Sequence, residues 1–219
     1  VVDRMVGKIT AALDRLSLRE NTVVIYCSDH GDFMGEHGMQ CKGGVFYDCL
    51  TRVPLIVSWP GQVAGGVRED SPVNLIDIVP TVLGLQGLEV PRSMHGEPLP
   101  SVADAPGREV TFSEYGAGGP AFTMADLEQM EQPFGRRALM KSLQWREAEG
   151  RRKMARTREW KYVHDPMGDL DELYDMKRDP WELTNLAHLP EHAGVISTMR
   201  GHLADWSIHT EDARPVPMP

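Results

Sequence analysis

The residues with the most chemical potential lie in one glycine-rich stretch between positions 28 and 44. An aspartate, two histidines and a lysine follow one another there: Asp29, His30, His37 and Lys42. Carboxylate oxygens and imidazole nitrogens bind divalent cations, and a lysine ammonium attracts anionic oxygens. Together these residue types are typical of half of a metal-dependent site that hydrolyses an anionic substrate.

A predicted helix and a predicted strand precede this stretch and indicate its position in the fold. Residues 22–27, Thr-Val-Val-Ile-Tyr-Cys, are apolar at nearly every position instead of alternating. Such a run predicts a strand buried on both faces, as in a parallel sheet. Apolar residues at steps of three and four predict an amphipathic helix over about 2–17 before it. Because open α/β sheets bind ligands at the carboxyl ends of their strands, the polar stretch stands where a ligand is expected.

The remaining patterns divide the chain into two parts. In the first part we predict a short helix near 46–50, a second buried strand over 52–59, a deeply packed helix over 73–83 that begins at Ser71-Pro72, a loop over 86–108, a strand over 109–115 and an irregular or helical stretch over 116–150. In the second part we predict strands over 151–157, 160–164 and 172–175 as an antiparallel meander, then a helix over 191–208. We therefore predict an α/β fold with domains 1–150 and 151–219.

Composition excludes some classes of protein. The 219 residues carry 23 Lys and Arg against 32 Asp and Glu, and the formal net charge of -9 argues against a nucleic-acid partner. The three cysteines, at 27, 41 and 49, are too few and too clustered for a disulfide framework, so we expect free thiols. No apolar run approaches the roughly 18 residues of a membrane helix, so we expect no membrane span. The compartment stays open between the cytoplasm and the periplasm or exterior, depending on any preceding segment.

Several motifs in a fitting order resemble the sulfatase family of the alkaline phosphatase superfamily. They are Ser28-Asp29-His30-Gly31 through Gly38, Lys42-Gly43, Arg52–Val57, Asp77–Thr81, Trp160-Lys161-Tyr162, Glu172–Asp175, Asp179-Pro180 and Glu182-x-x-Asn185-Leu186. The resemblance covers most of the chain and is weakest over about 116–150. It implies an alkaline-phosphatase-like mixed, largely parallel sheet, flanked by helices and incomplete here. A small antiparallel sheet with a carboxyl-terminal helix follows, and its core is expected to contain Trp160, Tyr162, Tyr174 and Trp181.

The resemblance also implies roles for the polar stretch. Asp29 and His30 would be metal ligands, usually to Ca²⁺, with Mn²⁺ or Zn²⁺ as alternatives. Lys42 would bind the oxygens of the transferred sulfate or phosphonate. His37 either lines the substrate pocket and donates a proton or is a structural loop histidine. A cation and an ammonium suit this chemistry because its transition state is crowded with negative oxygen.

One family feature does not match. The nucleophile of these enzymes is a formylglycine, made from Cys or Ser in a Cys/Ser-x-Pro/Ala-x-Arg motif. No cysteine here fits, since Cys49 has its arginine, Arg52, one residue too early. The family's other metal aspartates are also missing from the sequence. The resemblance therefore implies the carboxyl-terminal portion of a sulfatase, and we predict that this chain alone is inactive or nearly so.

The function that we predict is hydrolysis of a small-molecule sulfuric ester in the complete protein. Hydrolysis of phosphonate monoesters or phosphodiesters is the alternative within the same chemistry, and a non-catalytic fragment is the alternative outside it. An incomplete sheet leaves an apolar edge that requires a partner. We therefore expect a homo-oligomer, or association with the missing amino-terminal half.

Overall fold

The computed structural model describes residues 1–103, 105–115, 152–166 and 171–211. These residues form two compact units, each described by itself. The first unit comprises residues 1–30 and 53–108, and the second comprises residues 31–52 and the described residues from 109 onward. The stretch 116–150, predicted as irregular or helical, lies outside the described residues. The domain boundary at 150 lies there too and stays a prediction.

The predicted helices and strands are largely present. In chain order they are α1 (Val2–Arg15), β1 (Val24–Cys27), β2 (Phe33–Met34), β3 (Gln40–Cys41), α2 (Asp48–Thr51), β4 (Leu55–Ser58), α3 (Ile78–Leu85), α4 (Pro100–Ala103), β5 (Thr111–Tyr115), β6 (Arg152–Arg156), β7 (Trp160–His164), β8 (Glu172–Asp175) and α5 (Ala193–His209). The predicted α/β class is confirmed. The sequence did not indicate the two-residue strands β2 and β3 or the single turn α4.

In the first unit, β1 and β4 form an antiparallel pair. Val24 lies opposite Ser58 and Cys27 lies opposite Leu55. The apolar runs of these strands had suggested the parallel arrangement and burial on both faces. Instead the strands are at most half-buried, and Ile56 is 59% exposed. An apolar run indicates a strand but does not fix the direction of its neighbour, which depends on the path of the chain between them.

The helix α3 begins at Ile78, five residues later than predicted, and a 3-10 turn over Leu75–Asp77 precedes it. That turn begins with a capping box at Asn74, whose backbone N–H donates to Asp77 Oδ2 at 2.7 Å, and not at the predicted Ser71-Pro72. Pro80 lies in the first turn, where the missing N–H costs no helical hydrogen bond. The helix is also less enclosed than predicted, because Val79 is half exposed while Pro80 and Thr81 are buried.

The buried side chain of Asp77 organises the loop after α3. Its carboxylate accepts the backbone N–H of Glu97 at 2.9 Å and the guanidinium of Arg108 at 2.8 Å. Thr81 Oγ donates to the Asp77 carbonyl and accepts the N–H of Leu99 at 2.8 Å. These bonds give the proline- and glycine-rich loop over 86–108 a fixed path without extended secondary structure.

The second unit is built on a four-stranded antiparallel sheet in the order β5-β6-β7-β8. The meander predicted over 151–175 is confirmed, and β5 extends it, with Thr111 opposite Arg156. The helix α5 packs on one face, where its Met199 and Leu203 join a core that contains Tyr162 and Leu173. The sheet therefore recruits a strand that precedes the predicted boundary in sequence.

Two of the four aromatic residues predicted for the core of this sheet are buried. Tyr162 and Tyr174 are 0% and 4% exposed, and Trp160 is half-buried. Trp181 is 72% exposed, so its predicted place in the core is wrong. The next residue, Glu182, is buried instead and has a φ of +57°. The turn after Pro180 thus directs a carboxylate inward and leaves the indole outside.

Two predictions from composition concern cysteines and membranes. Cys27, Cys41 and Cys49 are free thiols, as predicted. Among the described residues, no helix is long and apolar enough to cross a membrane.

Asp171 links the sheet to α5 through its carboxylate. Oδ2 accepts the guanidinium of Arg200 at 2.6 Å and the hydroxyl of Tyr162, and Oδ1 accepts the N–H of Asp165 at 2.9 Å. Burial alone would raise the pKa of Asp171, but these three donors outweigh it and hold the pKa below its usual value.

We expect this carboxylate to make the chain sensitive to acid. Its pKa in the folded state lies below the unfolded value of about 3.9, so its stabilisation is complete above about pH 5 and is lost as the pH falls through the folded pKa. Urea unfolding between pH 7 and pH 3 should therefore show a smaller loss of stability in Asp171→Asn than in the wild type. The exposed Asp70 supplies the control, since Asp70→Asn should keep the wild-type pH dependence. Equal pH dependence in Asp171→Asn and the wild type would contradict this assignment.

Candidate functional site

Asp29 and His30 stand directly after the carboxyl end of β1. The carboxylate of Asp29 is exposed and accepts the backbone N–H of His30 at its Oδ1, at 3.0 Å. Its other oxygen, Oδ2, lies 3.4 Å from His30 Nε2. Ser28 Oγ donates to the His30 carbonyl at 2.9 Å. The backbone therefore holds one carboxylate oxygen and one imidazole nitrogen side by side.

This spacing fits two ligands of one divalent cation. Donor atoms bound about 2.4 Å from a cation and at right angles to each other are about 3.4 Å apart. The Oδ2 to Nε2 distance agrees with that separation. Calcium takes about six to eight ligands, and the described part of the chain contains no group of three or more His, Cys, Asp or Glu residues able to hold a metal. Asp29 and His30 can therefore supply two ligands, and the others must come from water or from other parts of the protein.

His37 lies on the glycine-rich loop of the second unit. Its ring stacks on Tyr47, with centroids 3.7 Å apart, and meets the edge of Phe33 at 6.4 Å. Its backbone φ is +52°, between Gly35 and Gly38, which also have positive φ. These contacts fix the imidazole on an aromatic side chain, whichever of its two predicted roles it has. Its role in proton transfer stays a prediction.

Lys42 is exposed and follows β3 in the second unit. The residue before it, Cys41, has a φ of +66°, and the backbone after it is bonded to the sheet. Arg152 Nη1 donates to the Gly44 carbonyl at 3.3 Å, and Lys161 Nζ donates to the Phe46 carbonyl at 2.8 Å. The lysine thus lies on an anchored segment of the second unit, whereas Asp29 and His30 belong to the first unit.

Gly31 is required where the chain enters the second unit. Its N–H donates to the Leu50 carbonyl at 2.8 Å. A Cβ at this position would lie 1.8 Å from the carbonyl oxygen of Cys49, which is backbone and cannot move aside cheaply. Only glycine permits this close approach of the glycine-rich loop to α2.

Gly31→Ala should therefore destabilise the chain by about 1–3 kcal/mol or more, as overpacked sites do. Urea unfolding followed by circular dichroism measures the loss. Gly65→Ala is the matched control, because nothing lies within 4 Å of the added Cβ there. Equal stability of the two variants would show that the loop yields freely at Gly31.

Sequence reasoning missed a buried group of charged residues in the second unit. Lys161, Asp48 and Glu182, which we call the Lys161 cluster, pair with one another beneath the segment that carries Lys42. Lys161 and Glu182 belong to motifs that the sequence had singled out, but neither was given a role. No local signal indicated the burial of Lys161, because side chains alternate along a strand and an aromatic pair on one face leaves the lysine on the other.

Comparison with known proteins identifies the family. The family model described as Sulfatase matches residues 1–88. The uncharacterized sulfatase YidJ of Escherichia coli (strain K12) is 34% identical over 206 residues, a match that covers 94% of this chain and 36% of YidJ. The chain belongs to the sulfatase family. It spans little more than a third of the length of this relative.

Solved structures of two hydrolases share the fold of this chain. A structure described as a 2-O GAG sulfatase is 28% identical with a TM-score of 0.76, over 96% of this chain and 41% of that one. A phosphonate monoester hydrolase of Agrobacterium radiobacter is 27% identical with a TM-score of 0.72, over 95% of this chain and 39% of that one. The sulfatase resemblance and the alkaline-phosphatase-like fold predicted from the motifs are thereby confirmed.

Proposed function

We propose that this sulfatase-family chain supplies part of the active site of a sulfuric ester hydrolase. In this proposal Asp29 and His30 bind a divalent cation, and Lys42 binds the oxygens of the sulfate group. The observation that carries the proposal is the 3.4 Å spacing of Asp29 Oδ2 and His30 Nε2 at the carboxyl end of β1. That is the end of a strand at which α/β folds bind their ligands.

Each residue has a distinct task in this site. The Asp29 carboxylate is a hard oxygen ligand suited to Ca²⁺, and His30 adds a nitrogen that Mn²⁺ or Zn²⁺ also accept. The bound cation would supply Lewis-acid stabilisation of the sulfate oxygens. Lys42 would place an ammonium against the same oxygens and orient the ester for attack. His37 would line the pocket, with its ring held on Tyr47.

The nucleophile in this proposal is a formylglycine from sequence outside these 219 residues. None of the three cysteines stands in the motif from which a formylglycine is made. The described residues also offer only two metal ligands at the site. The site is therefore shared with another segment, either an amino-terminal half or a second copy of the chain.

Phosphonate monoester or phosphodiester hydrolysis is the second candidate. The similarity to a phosphonate monoester hydrolase favours it, because a cation and an ammonium stabilise phosphoryl oxygens as well as sulfuryl oxygens. Assays of the complete protein with an aryl sulfate and an aryl phosphonate, at equal concentrations, separate the two. We expect the larger kcat/KM with the sulfate.

Paramagnetic broadening by Mn²⁺ tests the metal ligands directly on this chain, even if the affinity is weak. In amide NMR spectra we expect Mn²⁺ to broaden the signals of residues 28–31 first and Ca²⁺ to reverse the broadening. The double variant Asp29→Asn, His30→Gln should remove the effect. Asp32→Asn, which changes an exposed carboxylate three residues from Asp29, is the control and should leave it unchanged. Broadening that is strongest elsewhere, or that survives the double variant, would rule out this metal site.

We also propose that the chain associates with itself or with the amino-terminal half. Apolar side chains of α1 are more than half exposed, among them Val2, Met5 and Ile9. Exposed apolar faces of this kind are covered in stable proteins. Light scattering should therefore give a mass above 24.4 kDa for the isolated chain. A monodisperse monomer would contradict self-association.

A further inference from the structure

The backbone around Lys42 adopts conformations that need outside support. Residues 42–47, which we call the Lys42 segment, run from β3 to the start of α2 without regular secondary structure. His37 and Cys41, just before the segment, have φ values of +52° and +66°. Residues with a side chain rarely adopt this region, and they keep it only where surrounding contacts enforce it. The support for the segment must come from elsewhere in the second unit.

That support comes from two buried cations of the four-stranded sheet. Lys161, on β7, is 1% exposed, and its ammonium donates to the Phe46 carbonyl at 2.8 Å, to Glu182 Oε1 at 2.5 Å and to the carboxylate of Asp48. These three bonds use all three N–H groups of the ammonium. Arg152, on β6, donates to the Gly44 carbonyl at 3.3 Å. The sheet thus holds the Lys42 segment at the carbonyls of Gly44 and Phe46.

Glu182 completes the attachment from a third direction. Its Oε2 accepts the backbone N–H of Asp48 at 2.6 Å, at the first residue of α2. Glu182 itself has a φ of +57°, an unfavourable conformation for a residue with a side chain. This conformation turns its carboxylate toward Lys161 and Asp48. The turn after β8 therefore also holds the point where the Lys42 segment meets α2.

The charges of the Lys161 cluster are compensated within the second unit. Burial alone would raise the pKa of Asp48, but Lys161 and the nearby Arg156, whose Nη2 lies 3.4 Å from Asp48 Oδ2, hold the pKa below its usual value. Glu182 differs because burial raises its pKa and Lys161 only opposes that rise. The Lys161–Asp48 pair therefore persists to lower pH than the Lys161–Glu182 pair.

We propose that the Lys161 cluster is a positioning device that fixes the Lys42 segment and thereby the Lys42 ammonium. The importance of Lys42 as an anion ligand rests on the proposed function, whereas the attachment of the segment does not. Lys161, Asp48 and Glu182 do not contact substrate in this proposal. They act by limiting the positions that the anion-binding ammonium can occupy.

The test uses a variant that removes the three charges of the Lys161 cluster together, so that only the partly exposed Arg156 loses a charged partner. In the triple variant Lys161→Met, Asp48→Asn, Glu182→Gln, the replacements keep similar volumes, and such neutral exchanges of buried ion groups usually leave a protein folded. Amide hydrogen exchange then reports the junction of the segment with α2. The N–H of Asp48 donates there to Glu182, and the N–H groups of Leu50 and Thr51 donate to the Tyr47 carbonyl. We expect their exchange to accelerate about tenfold or more, while amides of the β6–β7 ladder change little.

Leu173→Ala is the matched control for general weakening. Leu173 is fully buried in the core of the same sheet and does not belong to the cluster. Its replacement should accelerate exchange across the sheet and the segment alike. Exchange at Asp48, Leu50 and Thr51 that stays at the wild-type rate in the triple variant would overturn the proposal. If the triple variant does not fold, Glu182→Gln alone gives the same comparison with a smaller expected change.

A sulfate titration followed by NMR separates this inference from the proposed function. In the wild-type chain sulfate should shift the amide signals of residues 42–44, and the triple variant should need a severalfold higher sulfate concentration for the same shift. If segment exchange accelerates but sulfate shifts nothing in the wild type, the anion-binding role of Lys42 is wrong and the attachment stands. If sulfate binds but exchange and affinity are unchanged in the triple variant, the positioning proposal fails and the proposed function stands.

Discussion

Lys161→Met should lower the free energy of unfolding by about 3–5 kcal/mol, the cost of removing one partner of a buried ion pair. Methionine fills the space of the alkyl chain but donates nothing to Asp48, Glu182 and the Phe46 carbonyl. The carboxylate of Glu182, whose side chain is 2% exposed, would then be buried beside that of Asp48 without a direct cation. Urea unfolding at pH 7 measures the loss.

Two controls show whether the cost comes from the unpaired carboxylates. Lys177→Met removes an exposed lysine that pairs with Glu159, and exposed pairs of this kind contribute at most about 1 kcal/mol. The triple variant of the Lys161 cluster should recover most of the stability that Lys161→Met loses, since no buried charge is then left alone. A loss below about 1 kcal/mol for Lys161→Met would mean that water reaches the cluster.

The second large effect concerns catalysis by the complete protein. If the complete protein hydrolyses sulfuric esters as proposed, Lys42→Ala in that protein should lower kcat/KM for an aryl sulfate by about 10²–10³-fold, as loss of one transition-state donor does. Lys42 is exposed, so its truncation should leave the stability of the protein almost unchanged. Steady-state kinetics with an aryl sulfate measures the effect.

Two further variants show whether the loss of activity is specific to the charge at position 42. Lys42→Arg keeps the positive charge and should retain more activity than Lys42→Ala, although the guanidinium places its donors differently. Lys177→Ala removes an exposed lysine of the second unit and should leave kcat/KM unchanged. Full activity of Lys42→Ala would exclude Lys42 from the site, whatever the metal ligands do.

Local patterns predicted the elements of the fold because those elements form from local preferences. The helical spacing of α1, the alternation in β6 to β8 and the apolar run of β1 each indicated the element that the structure contains. The antiparallel pairing of β1 with β4 was not predictable, because it depends on how residues 28–54 return the chain. The recruitment of β5 into the second sheet likewise depends on partners far away in sequence.

Polar residues that become buried were the hardest to predict. Lys161, Asp77 and Glu182 resemble surface residues by type, and only their partners in the fold explain their burial. Trp181 shows the same difficulty in reverse, since its apolar side chain suggested a core position that the backbone conformation of Glu182 denies it. Pairing between distant charges is a property of tertiary structure that no local pattern records.

The residue types of the candidate site could be proposed from the sequence, but the contacts that hold them could not. The types and order of Asp29, His30 and Lys42 suggested a metal and anion site, and this assignment stays a prediction. The sequence could not show that the imidazole of His37 stacks on Tyr47, or that Arg152 and Lys161 anchor the segment after Lys42. Those contacts join positions as far apart as 115 residues in the chain.

Anomalous diffraction from crystals of the chain soaked with Mn²⁺ and sulfate tests the central claim most directly. An anomalous peak is expected about 2.0–2.5 Å from both Asp29 Oδ2 and His30 Nε2, together with a sulfate bound by Lys42 Nζ. A metal bound away from Asp29 and His30, or a Lys42 ammonium directed away from the sulfate, would contradict it.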